Sequence, residues 1–226
     1  MTTILTIGDS NAANLWGDAW PVHLEKHLNC KIKNFASPGA GNGMFIDKLN
    51  SGIQEHQPDY VVIQLTEMHR LTLGERANEG KDQDQICFND VGYYTWNVRN
   101  NADHIFKNTG IKINADDYMI KNVLLSKWIE NNFFQDILKM QYICDSFSVP
   151  CIFYSWFDCI DEVIIQDYKW LLEKITYIKG TAKEWFETNQ IQKADDHVHY
   201  GTDAHEQFVV NWLIPNLLQT NVLTNK

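Results

Sequence analysis

The chain has 226 residues, 44% of them hydrophobic and 21% charged, with a formal net charge of −10. That mixture can bury a core, which excludes a disordered chain, and its acidity excludes the broad cationic surface that nucleic acid or anionic lipid would require. No run approaches the ~20 apolar residues needed to span a bilayer.

Met1 to Ile7 reaches Gly8-Asp9-Ser10 after too few apolar residues for a secretory leader. The cysteines Cys30, Cys87, Cys144, Cys151 and Cys159 are scattered, with no Cys-x-x-Cys pair, as expected of reduced thiols in a cytoplasmic protein. No repeat or Pro/Ser linker divides the sequence, so residues 1–226 are read as one domain.

In chain order, Ile4 to Ile7 is a β-branched run ending at Gly8. Asn11 to Leu28 carries Leu15, Trp16, Trp20, Leu24 and Leu28 at helical spacing, with a kink expected at Pro21. Lys31 to Phe35 is a second strand, followed by the turn Ser37-Pro38-Gly39-Ala40-Gly41 and a helix with Phe45, Ile46, Leu49 and Ile53 on one face. Tyr60 to Leu65, introduced by Pro58-Asp59, is nearly continuously apolar, as a strand covered on both faces should be, and Cys151 to Tyr154 reads the same way. Alternating β and α units with buried strands predict a three-layer α/β/α sandwich around a central parallel sheet, with an insertion after the third strand. Thr72 to Asp117 is polar yet holds Phe88, Tyr93, Tyr94, Trp96 and Phe106, and is read as a cap over one end of the sheet. Tyr118 to Phe147 is helical in pattern, and a break is expected near Glu130-Asn131-Asn132, because ~30 residues at ~1.5 Å each outreach a small domain.

Ligands of parallel α/β sheets bind at the carboxyl ends of the strands. The first strand delivers Ser10 there, at the expected N-terminus of a helix, where free N–H groups can stabilise an oxyanion; the alternative is that Asp9 or Ser10 caps that helix. Near the other end, Asp195 to His205 packs three histidines and three aspartates into eleven residues. A hydroxyl nucleophile needs an imidazole to take its proton and a carboxylate to orient that imidazole, and Asp196-x-x-His199 can supply both. A solvated polar turn is the plain alternative, and His197 competes with His199 as the base.

These blocks together resemble the SGNH (GDSL) hydrolases, a superfamily of α/β esterases, lipases and thioesterases with a flavodoxin-like sheet. The resemblance implies Ser10 as nucleophile, Asp196 and His199 as its partners, and the backbone N–H groups of Ser10 and Gly39 as an oxyanion hole. No metal or organic cofactor is implied. One block departs from the pattern. After Leu65 the family places Gly-x-Asn-Asp, whose Asn donates to the oxyanion, whereas this chain has Thr66-Glu67-Met68-His69-Arg70, and methionine cannot donate. Asn42 is the preferred replacement, with helix capping as its alternative role, and Arg70 is the second choice. Trp156 is expected either to line a substrate pocket or to sit in the core. His23 and His27, one helical turn apart, are read as a surface pair rather than metal ligands.

The expected activity is hydrolysis of a small acyl ester, with a carbohydrate ester favoured by analogy. The rivals are an O-acyltransferase, an inactive binding module of the same fold, and a metal site among Asp195, Asp196, His197, His199, Asp203 and His205. The sequence leaves the oligomeric state open.

Overall fold

A computed structural model of the protein describes residues 1–14, 17–68, 70–75, 93–97, 127–157, 166–194 and 199–220. Five strands form one all-parallel sheet: β1 (Thr3–Ile7), β2 (Lys31–Asn34), β3 (Tyr60–Leu65), β6 (Cys151–Ser155) and β7 (Tyr177–Thr181), in the order β2-β1-β3-β6-β7. A separate antiparallel pair, β4 (Arg70–Glu75) and β5 (Tyr93–Asn97), follows β3 directly, with Leu71 opposite Trp96 and Thr72 opposite Thr95. The remainder of the expected cap over 72–117, including Cys87, lies outside the described residues, as does Cys159.

Period-two alternation sorts the central strands onto two cores. Leu5, Ile7, Val61, Ile63, Leu65 and Phe153 face α2 (Asn42–His56) and α3 (Lys127–Ser146), whose Phe45, Leu49, Phe134 and Ile137 fill the first core. Ile4, Val62, Ile152 and Tyr154 face α1 (Trp20–Leu28) and the C-terminal helices, where Trp20, Leu24, Phe208 and Leu213 fill the second. Every residue of β3 is buried, which is why its sequence reads as a continuous apolar run.

Two expectations need correction. The first helix does not begin at Asn11. After β1 the chain makes a single closed turn, with Ala12 and Ala13 N–H both donating to Asp9 C=O at 3.1 Å, and α1 starts only at Trp20. Gly17, at φ 109°, interrupts helical geometry, and Pro21 falls in the first turn of α1, where its missing N–H costs nothing. Nor is there a break at residues 130–132. Helix α3 passes through them as 20 continuous residues, ~30 Å long at the usual rise; residues 118–126 lie outside the described residues.

After β6 come a short helix, α4 (Lys169–Leu172), then β7 and α5 (Ala182–Thr188). Thr181 caps α5, accepting from Glu184 N–H at 3.0 Å. The chain ends in α6 (Thr202–Phe208), a wide π-turn (Val209–Leu213) and α7 (Ile214–Gln219). The wide turn precedes Pro215, which has no N–H to return to the preceding turn, and Ile214 N–H instead bonds Val209 C=O. No helix among the described residues is long and apolar enough to cross a membrane.

Candidate active site

The strand order reverses direction on either side of β1 and β3, so their carboxyl ends flank the crevice where such sheets bind ligands. Ser10 follows β1 at that point, and Thr66 follows β3.

Asp9 fixes the backbone just before Ser10. Its carboxylate is fully buried and accepts from Asn11 N–H (2.9 Å), Asn11 Nδ2 (3.1 Å), Gln64 Nε2 (2.7 Å) and Thr66 Oγ1 (2.9 Å). The bond to Asn11 N–H is an Asx turn, the local reason the chain reverses here. The amide of Gln64 continues the network, its Oε1 accepting from Trp20 Nε1 at 2.8 Å and from Tyr154 Oη at 3.5 Å. A carboxylate and an amide buried this deeply are tolerable only with their bonds made. Gly8 is required by close approach, since a Cβ there would stand 2.7 Å from Ala12 Cβ and 3.3 Å from Gln64 Cβ.

The far end of the chain arrives beside this loop. His199 Nε2 lies 3.1 Å from Ser10 Oγ, joining residues 189 apart in sequence. Ala194 N–H donates to His199 C=O at 2.7 Å, and Lys193 pairs with Tyr200 in an antiparallel bridge, so the backbone of His199 and Tyr200 is held against residues 193 and 194. Tyr200 stacks on Phe186 at 3.8 Å. Asp195, Asp196 and His197 lie outside the described residues, so the expected carboxylate partner and the competing imidazole have no geometry here.

Gly39, at φ 68°, occupies the left-handed region in the turn after β2. That turn is tied down by Ser37 N–H to Gly8 C=O (3.0 Å), by Ala40 N–H to Ser37 C=O (3.2 Å), and by Lys48, which donates to Phe35 C=O (3.3 Å) and to Ser37 Oγ. Among the described residues no group accepts from the backbone N–H of Ser10 or of Gly39.

Asn42 has a role that neither sequence reading anticipates. It is the first residue of α2 rather than its cap, which is Gly41. Its buried amide pairs with the Thr66 backbone in both directions, Nδ2 donating to Thr66 C=O (3.2 Å) and Oδ1 accepting from Thr66 N–H (3.1 Å). Asn42 is therefore a clamp between α2 and the end of β3, with one Nδ2 hydrogen left over. Met68 is half-buried and packs on the α2/α3 core. The side chain of Arg70 lies outside the described residues.

Trp156 is corrected from pocket to core. It is 2% exposed and packs against Phe186, Tyr200, His205 and Phe208. The proposed surface pair of histidines is also corrected in part. His23 is buried, with Nε2 3.2 Å from Asp18 C=O, whereas His27 bonds Glu206 at 2.9 Å. His205, on α6, is buried too, and burial first, then His23 and His199, push its imidazole down to about 4.

Gln64 and Thr66 are the site residues that sequence reasoning missed. A glutamine inside an otherwise apolar buried run was the available signal, because such a residue must find partners.

Several solved structures have this fold. TesA matches with TM-score 0.58 at 15% identity, over 97% of this chain and 99% of its own. The psychrotrophic esterase EstA of Pseudoalteromonas sp. matches with TM-score 0.58 at 9% identity, over 97% and 98%. The lipase/acylhydrolase of Enterococcus faecalis matches with TM-score 0.51 at 12% identity, over 98% and 94%. No family model and no curated protein sequence matches the chain. Likeness at these identities shows the fold alone, and that fold is the α/β architecture around a parallel sheet that the alternation of strands and helices predicts.

Proposed function

We propose that the protein is a serine ester hydrolase with Ser10 as nucleophile and His199 as general base. The observation that carries this reading is the 3.1 Å contact between Ser10 Oγ and His199 Nε2 at the carboxyl ends of β1 and β3. In the first step Ser10 Oγ bonds the ester carbonyl carbon while its proton passes to His199 Nε2. The carbonyl oxygen becomes an oxyanion, received by the backbone N–H groups of Ser10 and Gly39 and by the remaining Nδ2 hydrogen of Asn42. The alcohol departs with the proton from His199, leaving an acyl-serine. Water then bonds the acyl carbon, giving a proton to the same nitrogen, and that proton passes to Ser10 Oγ as its bond to the acyl carbon breaks and the acid leaves. Asp196 takes the role of orienting His199 and offsetting its charge.

The oxyanion hole cannot gain its stabilisation from a helix N-terminus at Ser10, because α1 begins ten residues later. Fixed backbone N–H groups carry it, which is why the Asp9 network and the Lys48-tethered turn matter. The proposed substrate class is a small acyl ester of a carbohydrate, with residues 72–117 as the cap over it and Arg70 among its contacts. A binding module without catalysis is the second reading, favoured by Met68, since loss of one oxyanion donor costs ~10²–10³ in rate.

A panel of p-nitrophenyl esters on wild type and Ser10→Ala tests the proposal. Turnover of short acyl esters by wild type, lost in Ser10→Ala, is the expected result. Equal turnover by both proteins contradicts the nucleophile, and no turnover by either favours the binding module.

A further inference from the structure

The two halves of the site come from opposite ends of the chain, and each is braced by its own set of neighbours. Asp9 anchors the Ser10 turn to β3, while Ala194 and Lys193 brace His199 within its own loop. None of these bonds fixes His199 relative to Ser10. Cross-links between the two parts run from the segment leading into α1 to the start of α6. One of them is Asp18 N–H donating to Thr202 Oγ1 at 3.1 Å.

This bond joins a residue eight positions after Ser10 to one three positions after His199. Gly17 gives a second, independent observation. It holds φ 109°, and a Cβ there would stand 2.3 Å from Thr202 Oγ1, so the bend is shaped around that hydroxyl. Thr202 is also the first residue of α6, after Gly201, and no side chain caps that helix. Its hydroxyl serves the other segment. The Lys26 and His27 contacts to Glu206, at 2.7 and 2.9 Å, tie α1 to α6 one turn farther along.

We propose that Thr202 is a positioning residue whose hydroxyl fastens the His199 segment to the Gly17-Asp18 bend and so sets the distance from imidazole to nucleophile. The proposal rests on the reading of Ser10 and His199 as nucleophile and base. Removing the acceptor while keeping the volume, as in Thr202→Val, frees the α6 start from the bend, and misplacement by about 1 Å costs up to about 100-fold in rate.

The test compares wild type, Thr202→Val, Thr202→Ser and Ser10→Ala with p-nitrophenyl acetate, and measures labelling by a fluorophosphonate in parallel. Thr202→Val should lower kcat and the labelling rate by about 10- to 100-fold with KM near that of wild type. Thr202→Ser, which restores the acceptor, should recover to within about threefold, a pattern that loss of packing alone would not give. Thr202→Ala replaces Thr202→Val should the latter fail to fold. Wild-type kcat in Thr202→Val with an inactive Ser10→Ala overturns the strap and leaves the site reading intact, and so does equal loss in Thr202→Val and Thr202→Ser. Turnover by Ser10→Ala, or a wild type that neither hydrolyses the ester nor takes the label, overturns the site reading itself.

Discussion

Toward α2 and α3, the strands β1, β3 and β6 present Leu5, Ile7, Val61, Ile63, Leu65 and Phe153, all buried and apolar. Toward α1 and α6, the same strands set Thr6 and Gln64 among Ile4, Val62, Ile152 and Tyr154, and the helices add His23 and His205. Apart from Ser155, whose buried hydroxyl accepts from Tyr177 Oη at 3.2 Å, the first face asks mainly for volume and shape, which many apolar residues supply. The second carries the bonded network of Asp9, Gln64 and Thr66 together with two buried imidazoles, and it is the face lying behind Ser10 and His199. The difference shows where the chain gives up simple packing in order to hold one hydroxyl and one imidazole in register.

Substitutions that cross this divide should separate function from packing. The largest effect is expected from His199→Ala, with kcat/KM falling on the order of 10⁴-fold or more while the melting temperature stays near wild type. A steady-state loss below tenfold would remove His199 from the chemistry. Next is Gln64→Leu, which strips a donor from Asp9 and the acceptor from Trp20. Chemical denaturation should show a loss of about 3 kcal/mol, accompanied by a fall in kcat. On the apolar face, Ile63→Val should cost about 1 kcal/mol and leave kcat unchanged. Equal effects of these two substitutions on kcat would erase the contrast between the faces.

Acid should act on the polar face first. The unfolded chain protonates His205 near 6.5, whereas burial, His23 and His199 delay this in the folded protein to about 4. Below 6.5 the unfolded state therefore binds more protons, so this contribution is complete above that pH and is lost as pH falls toward 4, by up to about 3 kcal/mol. Denaturation curves of His205→Leu should lack that slope. The smallest effect belongs to Glu206, whose carboxyl Lys26 and then His27 hold down at about 2. Its contribution is present above the ordinary carboxylate value and is lost as pH falls through about 2. Because the pair is exposed, Glu206→Gln should lower the melting temperature slightly at low salt and not at high salt.

Much of the architecture is legible in the sequence because apolar strands flanked by turns leave strong signals. Tyr60 to Leu65 coincides with β3, Pro150 marks the start of β6, and the parallel sheet follows from their alternation with helices. The tenth and 199th residues were also readable as a pair, from the hydroxyl at a strand end and the clustered histidines. Other features depend on long-range contacts that no local pattern records. Strand β7 is short, half exposed and carries Gly180 at φ 84°, so Tyr177 to Thr181 gives no strand signal. Gly17, three residues ahead of α1, lies against Thr202, a neighbour near the opposite end of the chain. Asn42 could not be read as a clamp without knowing that Thr66 would be beside it.

Active-site labelling tests the pairing of the two chain ends most directly. Wild type and His199→Ala are treated with a fluorophosphonate, and the modified peptide is located by mass spectrometry. The structure predicts a single adduct on Ser10 that forms rapidly in wild type and at least about 100-fold more slowly in His199→Ala. An adduct on another residue, or equal labelling rates in the two proteins, would contradict it.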